Sequence, residues 1–88
     1  MKEYKHIIKA ENGLHARPAG ALASCAKTFK SSITVSALGK NADAKRLLSL
    51  MSLGATKGTE LHFVITGEDE QSAYEAIVDF CERLGDMR

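Results

Sequence analysis

Apolar and polar residues alternate along three stretches of the chain, as they do in strands that bury only one face. Residues 4–10, 31–40 and 59–66 each place apolar or aromatic side chains at every second position. A shorter strand is expected at 41–43, after a turn at 39–40. Because alternation requires one packed and one wet face, the four strands predict an antiparallel sheet that helices cover on one side.

The segments between and after these strands have the apolar spacing of helices. Residues 16–29 carry an apolar stripe at positions i, i+3, i+4 and i+7, formed by Ala19, Leu22, Ala23 and Ala26. Residues 45–54 suit a short helix that stops at Gly54. A third helix follows the turn at Gly67, where acidic residues favour its positive end. The order β-α-β-β-α-β-α predicts a single α+β domain over residues 1–88.

The second predicted helix holds more apolar side chains than one stripe can bury. Five of its residues are leucine or methionine, namely Leu47, Leu48, Leu50, Met51 and Leu53. On so short a helix a core-facing stripe accommodates only some of them, so we expect the others to face solvent.

Charge divides the chain into two parts, although 44% hydrophobic and 26% charged residues are ordinary for a globular protein. Residues 1–57 hold ten Lys or Arg against three Asp or Glu, and residues 58–88 hold two against eight. Either one solvated domain has a basic face and an acidic helix, or a basic face docks an acidic partner. Nucleic acid is not expected as a partner, because the cations are scattered and five aromatic residues offer little stacking.

Several function classes find no support in the sequence. The amino terminus has no long apolar run, so we expect no signal peptide, no membrane insertion and a cytoplasmic location. Cys25 and Cys81 match no metal spacing and are interpreted as reduced thiols, so no metal is expected. There is no Walker loop and no Ser/Cys-His triad. We therefore expect no cofactor and no independent catalytic turnover.

A histidine stands at a predicted helix start in the segment "NGLHARPAG", residues 12–20. Pro18 suits the first turn of a helix because it lacks an amide hydrogen that would be unpaired there. The helix should therefore begin beside His15. The amides of a first helical turn lack internal partners and attract anions. Arg17 adds a planar set of donors that can grip phosphate oxygens.

These features fit a carrier that holds a phosphoryl group on His15. A neutral imidazole is a nucleophile that needs no base, because its attacking nitrogen carries no proton. The helix amides and Arg17 would stabilise the phosphate. Without a nucleotide and magnesium site, the chain should receive the group from one partner and give it to another. The spacing alone also allows a solvated histidine beside a surface salt bridge.

The segments "GLHARPAG" and "AKRLLSLMSLGATKGTEL" resemble HPr, the histidine-containing phosphocarrier family of the bacterial phosphoenolpyruvate:sugar phosphotransferase system. The resemblance implies an open-faced β-sandwich with strand order 1-4-2-3 and three helices on one face. It implies phosphorylation of His15 on Nδ1, with Arg17 and the backbone of Ala16 and Arg17 binding the phosphate. It also implies phospho-Enzyme I as donor and IIA domains of sugar permeases as acceptors. We expect a monomer.

The resemblance further implies that both partners dock on the first and second helices. On this sequence the partner-docking residues are Ala16, Gly20, Ser24, Lys27, Arg46, Leu47, Leu48, Met51 and Ser52. The surplus apolar residues of the second helix then form an exposed patch, rimmed by cations, that suits protein docking.

One position departs from a pattern within that family. Where members from low-GC Gram-positive bacteria carry a regulatory serine at the start of the second helix, this chain has Arg46. Because Ser49 and Ser52 do not occupy the matching place, we expect no serine switch. An alternative function keeps the fold and the phosphorylated His15 but places the chain in a regulatory, nitrogen-type phosphorelay.

Overall fold

The computed structural model describes residues 1–9 and 11–84, except for the side chain of Leu84. Within these residues the elements are β1 (Lys2–Ile7), α1 (Ala16–Lys27), β2 (Ser32–Ala37), β3 (Lys40–Asp43), α2 (Leu47–Ser52), β4 (Glu60–Thr66) and α3 (Glu70–Leu84). The strands form one antiparallel sheet in the order β1-β4-β2-β3. This confirms the α+β fold, the predicted element order and the strand order that the family resemblance implied.

Strand alternation directs one face of the sheet into the core. Phe63 at the centre of β4 lies opposite Tyr4 on one side and Val35 on the other. The buried apolar residues of the two central strands are Ile33, Val35, Ala37, Leu61, Phe63 and Ile65. The stripe predicted for α1 is buried in the same hydrophobic core, and α3 buries Ala73, Ile77, Phe80 and Cys81. The core therefore lies between the sheet and the helices.

The ends of several elements differ from the prediction. β1 covers Lys2–Ile7 rather than 4–10, yet Ile8 remains buried and its amide donates to the carbonyl oxygen of Thr59 over 2.9 Å. The predicted last residue of that strand, Ala10, lies outside the described residues. The chain leaves the sheet early because β4, its partner, begins only at Glu60, which pairs with Ile7.

Both shorter helices also end earlier than predicted. α1 stops at Lys27, where the Thr28 hydroxyl donates to the carbonyl oxygen of Cys25 over 2.7 Å. α2 has six residues rather than ten, and the chain turns away at Gly54, whose φ is 66°. The turn between β2 and β3 lies at residues 38–39, one position before the predicted one.

Asp69 connects the start of α3 to the loop between α1 and β2. Its carboxylate accepts the amides of Lys30 and Ser31, each over 2.9 Å, and the Ser31 hydroxyl. These hydrogen bonds, the one from the Ser31 hydroxyl foremost, lower the pKa of Asp69 from 3.8 to about 2. The ionised carboxylate therefore holds two loops together across the fold.

None of the helices among the described residues is both long enough and apolar enough to cross a membrane.

Candidate functional site

His15 immediately precedes α1 and occupies its N-cap position. Its backbone is extended, with φ −87° and ψ −175°, and its side chain makes no capping hydrogen bond. The carbonyl oxygen of His15 accepts the amide of Ala19 over 2.9 Å, which is the first bond of the helical ladder. The partly exposed imidazole is thus placed at the helix start without being used to cap it.

The first turn of α1 presents two main-chain amides before the helical ladder begins. These belong to Ala16 and Arg17, since Pro18 has no N–H and Ala19 already donates to His15. Amides in this position carry the partial positive charge of a helix start. The structure therefore puts the histidine, two amides and the exposed Arg17 together in one turn of chain, as the sequence predicted.

Gly13 fixes the approach of the chain to His15. Its φ is 64°, and a Cβ at this position would lie 2.5 Å from the carbonyl oxygen of Ala55 and 2.6 Å from the Cα of Thr56. The next residue, Leu14, is buried and its amide donates to the Ala55 carbonyl over 3.0 Å. The segment before His15 is thus held against the loop that follows α2. Nothing in the sequence around Gly13 indicates this contact.

The predicted docking residues of α1 share one side of the helix. Ala16, Gly20, Ser24 and Lys27 follow one another at helical spacing and lie away from the buried stripe. Three of them are exposed and Gly20 is partly exposed, and a Cβ at Gly20 would meet no atom within 4 Å. Apart from Lys27, the residues of this side are small, so another protein could approach the helix closely.

The apolar side chains of α2 divide between core and solvent. Leu50, and Leu53 directly after the helix, are buried, whereas Leu47, Leu48 and Met51 are 39%, 80% and 41% exposed. This confirms the expectation that part of the leucine-rich segment faces solvent. Because α1 and α2 pack against each other, this apolar patch lies on the same pair of helices as His15 and the small residues of α1.

Arg46 occupies the N-cap position of α2, with its side chain 77% exposed. Its Nε lies 3.9 Å from a carboxylate oxygen of Asp43, which is too long and too exposed to fix the guanidinium. On the same helix the Ser52 hydroxyl donates to the carbonyl oxygen of Ser49 over 2.7 Å. The apolar patch is therefore flanked by an exposed cation that helix packing does not use.

The two cysteines are free thiols. Burial raises the pKa of Cys25, and it raises the pKa of Cys81 to about 12, so both are protonated near neutral pH. In the part of the chain that the structure describes, no three His, Cys, Asp or Glu side chains are grouped to hold a metal ion.

Comparison with known proteins agrees with this geometry. The family model for the PTS HPr component phosphorylation site matches residues 2–83. The phosphocarrier protein HPr of Haemophilus influenzae is 51% identical over 71 residues, covering 81% of this chain and 84% of that protein. The protein of the same name from Vibrio cholerae is 42% identical over 84 residues, covering 96% of this chain and 99% of that protein. The fold is similar to a crystal structure of HPr-C-His from Thermoanaerobacter tengcongensis, with a TM-score of 0.91 and 38% sequence identity. The match covers 100% of this chain and 99% of that chain.

Proposed function

Since the chain belongs to the PTS HPr family, we propose that it is a phosphocarrier that accepts a phosphoryl group on Nδ1 of His15 and passes it to another protein. The observation that carries this proposal is the place of His15 at the N-cap of α1, with an imidazole that does not cap its own helix. The relatives compared above are named phosphocarrier proteins. They favour this function over the nitrogen-type alternative.

The chemistry needs only what the first turn of α1 supplies. The lone pair of Nδ1 attacks phosphorus, the bond between phosphorus and the donor breaks, and its electron pair stays with the donor. The phosphoryl oxygens keep their negative charge and lie near the amides of Ala16 and Arg17, at the positive end of the helix. The reverse sequence of bond changes transfers the group onward, so the protein is a carrier rather than a catalyst.

Enzyme I is the proposed donor, and IIA domains of sugar permeases are the proposed acceptors. We place their docking surface on the exposed sides of α1 and α2, where small residues and an apolar patch adjoin. Leu47, Leu48 and Met51 supply the apolar contact, and Arg17, Lys27 and Arg46 supply cations at its rim. Protein interfaces usually have few charged residues at their centre and a polar rim. We propose further that the protein works as a monomer in the cytoplasm.

Mass spectrometry after incubation with Enzyme I, magnesium and phosphoenolpyruvate tests the proposal. The chain should gain one acid-labile phosphate, and His15→Ala should gain none. His62→Ala is the matched control, because His62 lies on β4 and its ring pairs with Glu3 over 2.8 Å. Labelling of His15→Ala at the wild-type level would contradict the proposal.

A further inference from the structure

The turn between β2 and β3 holds a leucine in an unfavourable backbone conformation. Leu38 and Gly39 form a two-residue turn between the paired residues Ala37 and Lys40, and their φ angles are 52° and 77°. A turn with positive φ at both positions is usually built from Asn-Gly or Asp-Gly. Leu38 is the one non-glycine residue with positive φ among the described residues. Its Cβ makes this left-handed region sterically unfavourable.

Burial does not offset this strain. The side chain of Leu38 is 64% exposed. At the adjacent Gly39 a Cβ would meet no atom within 4 Å, so the turn projects from the surface. A leucine that is both strained and exposed contributes little to folding, and residues in such conformations concentrate at functional sites. The turn is therefore a candidate for contact with another molecule.

The strand register places this turn at the end of the sheet from which the chain leads to His15. β1 ends at Ile7, which pairs with Glu60 at the start of β4. β2 is antiparallel to β4, and Ser36 near its end pairs with His62. The β2–β3 turn and the segment before His15 therefore leave the sheet at the same end. Because adjacent strands lie about 5 Å apart, β2 is only about 10 Å from β1, which is within the width of a protein interface.

The turn also adjoins the apolar patch of α2. β3 packs against α2, and Nζ of Lys40 lies 3.5 Å from the carbonyl oxygen of Ser52, the last residue of that helix. Met51 and Ser52 already belong to the proposed docking surface. Leu38 thus continues the exposed apolar surface past the end of α2, and the exposed Lys40 adds a cation at its edge.

We propose that Leu38 is a further docking residue, which makes an apolar contact with Enzyme I when this phosphoryl donor lies over His15. The inference rests on the proposed function, because it requires a protein partner at His15. The docking residues named above are also fewer than the roughly 20–30 that a stable interface uses on each side, so the surface should extend beyond them. The partner's surface opposite the turn should be apolar, with an acidic residue near Lys40.

Steady-state phosphorylation by Enzyme I and phosphoenolpyruvate, with the full chain as the varied substrate, tests the proposal. Leu38→Asn should raise KM about tenfold and leave kcat unchanged, because a docking residue that does not touch the phosphoryl group contributes only to binding. The same variant should melt a few degrees above the wild type, because asparagine adopts positive φ more readily than leucine. Weaker docking would then accompany a more stable fold, which a folding defect does not produce.

Two control variants isolate the contribution of this side chain. Leu38→Met keeps an apolar side chain in the turn and should retain the wild-type KM. Ile7→Thr removes another exposed apolar side chain, which lies beside Glu60 on the sheet face opposite the helices, and it should also leave KM unchanged. A wild-type KM for Leu38→Asn would overturn the proposal, and so would equal increases of KM in Leu38→Asn and Ile7→Thr.

The same measurements separate this inference from the proposed function. If the wild-type chain takes up no phosphate, the proposed function is wrong and the inference is wrong with it. If the wild type is phosphorylated and Leu38→Asn has the same KM, the inference alone is wrong. Sedimentation of both proteins tests a second copy of the chain as the occupant of the turn. A dimer that Leu38→Asn dissociates, together with an unchanged KM, would overturn the proposal in favour of self-association.

Discussion

At the scale of single residues, the site depends on how the chain reaches His15. Gly13 combines a positive φ, which disfavours a side chain, with a close approach to Ala55 and Thr56, which excludes one. The adjacent Leu14 is then bonded to the Ala55 carbonyl. The position of the imidazole is thus fixed by backbone contacts between two loops rather than by hydrogen bonds of its own ring.

Gly13→Ala should therefore both destabilise the protein and slow phosphorylation of His15. The left-handed backbone alone costs an alanine about 1 kcal/mol, and the clash with Ala55 should raise the total to about 3 kcal/mol. Urea unfolding and the rate of phosphate uptake from Enzyme I measure the two effects. Gly39→Ala is the matched control, because Gly39 has φ 77° but open space around its Cβ. Equal losses of stability in the two variants would contradict the importance of the contact.

Arg17 is the second residue whose role can be isolated. Arg17→Ala should still fold, because Arg17 is exposed, yet it should transfer phosphate about tenfold more slowly through loss of a charged hydrogen-bond donor. Arg17→Lys keeps the charge without the planar pair of donors and should fall between the two. Rapid-quench measurement of phosphate uptake gives the rates. A wild-type rate for Arg17→Ala would remove the guanidinium from the proposed mechanism.

At the scale of elements, α2 is unusual because it places both core and surface leucines within six residues. Its buried Leu50 anchors the helix, so Leu47, Leu48 and Met51 remain available for a partner. Arg46 stands at the start of this helix, where a cation is mildly unfavourable for the helix dipole. We propose that Arg46 contributes to docking rather than to folding.

Reversing this charge tests the interpretation. Arg46→Glu should slow phosphotransfer from Enzyme I severalfold at low salt, since a charge at an interface rim acts mainly on the association rate. The difference should shrink as salt rises. Lys57→Glu is the control, because Lys57 is an exposed cation that pairs with Glu11 outside the proposed docking residues. An unchanged second-order rate for Arg46→Glu at low salt would count against the role of Arg46.

At the scale of the whole molecule, Asp69 makes the stability of the fold depend on pH. The pKa of its carboxyl group is about 2 in the folded protein, compared with 3.8 for a carboxyl group without hydrogen-bond partners. The ionised carboxylate therefore stabilises the fold. A lowered folded-state pKa means that this contribution is complete above about pH 4 and is lost as the pH falls toward about 2. The α1–β2 loop should therefore loosen from α3 in acid before the core unfolds.

Asp69→Asn should remove this dependence. Between pH 4 and pH 2 the melting temperature of the variant should fall less steeply than that of the wild type, and at pH 7 it should be lower by several degrees. Thermal unfolding by circular dichroism at a series of pH values measures both. Asp79→Asn is the control, because Asp79 forms an exposed pair with Arg83. Parallel curves for the wild type and Asp69→Asn would contradict the assignment.

The order of elements and the buried faces were predictable, because alternation and helical stripes are local patterns of period two and 3.6. The exposed leucines of α2 and the helix start at His15 followed from equally local features. The contact of Gly13 with Ala55 and the three hydrogen bonds of Asp69 join residues far apart in sequence. Nothing in their immediate neighbourhood indicates a partner, so only the fold reveals them.

The proposed function requires that the phosphoryl group be bonded to one ring nitrogen of His15 and lie over the first turn of α1. NMR of the phosphorylated chain with ¹⁵N-labelled histidine and backbone measures both at once. We predict a change from free to phosphorylated imidazole at Nδ1 of His15, together with downfield shifts of the Ala16 and Arg17 amide protons. Phosphate on His6 or His62, or unchanged resonances of the Ala16 and Arg17 amides, would contradict the proposed function.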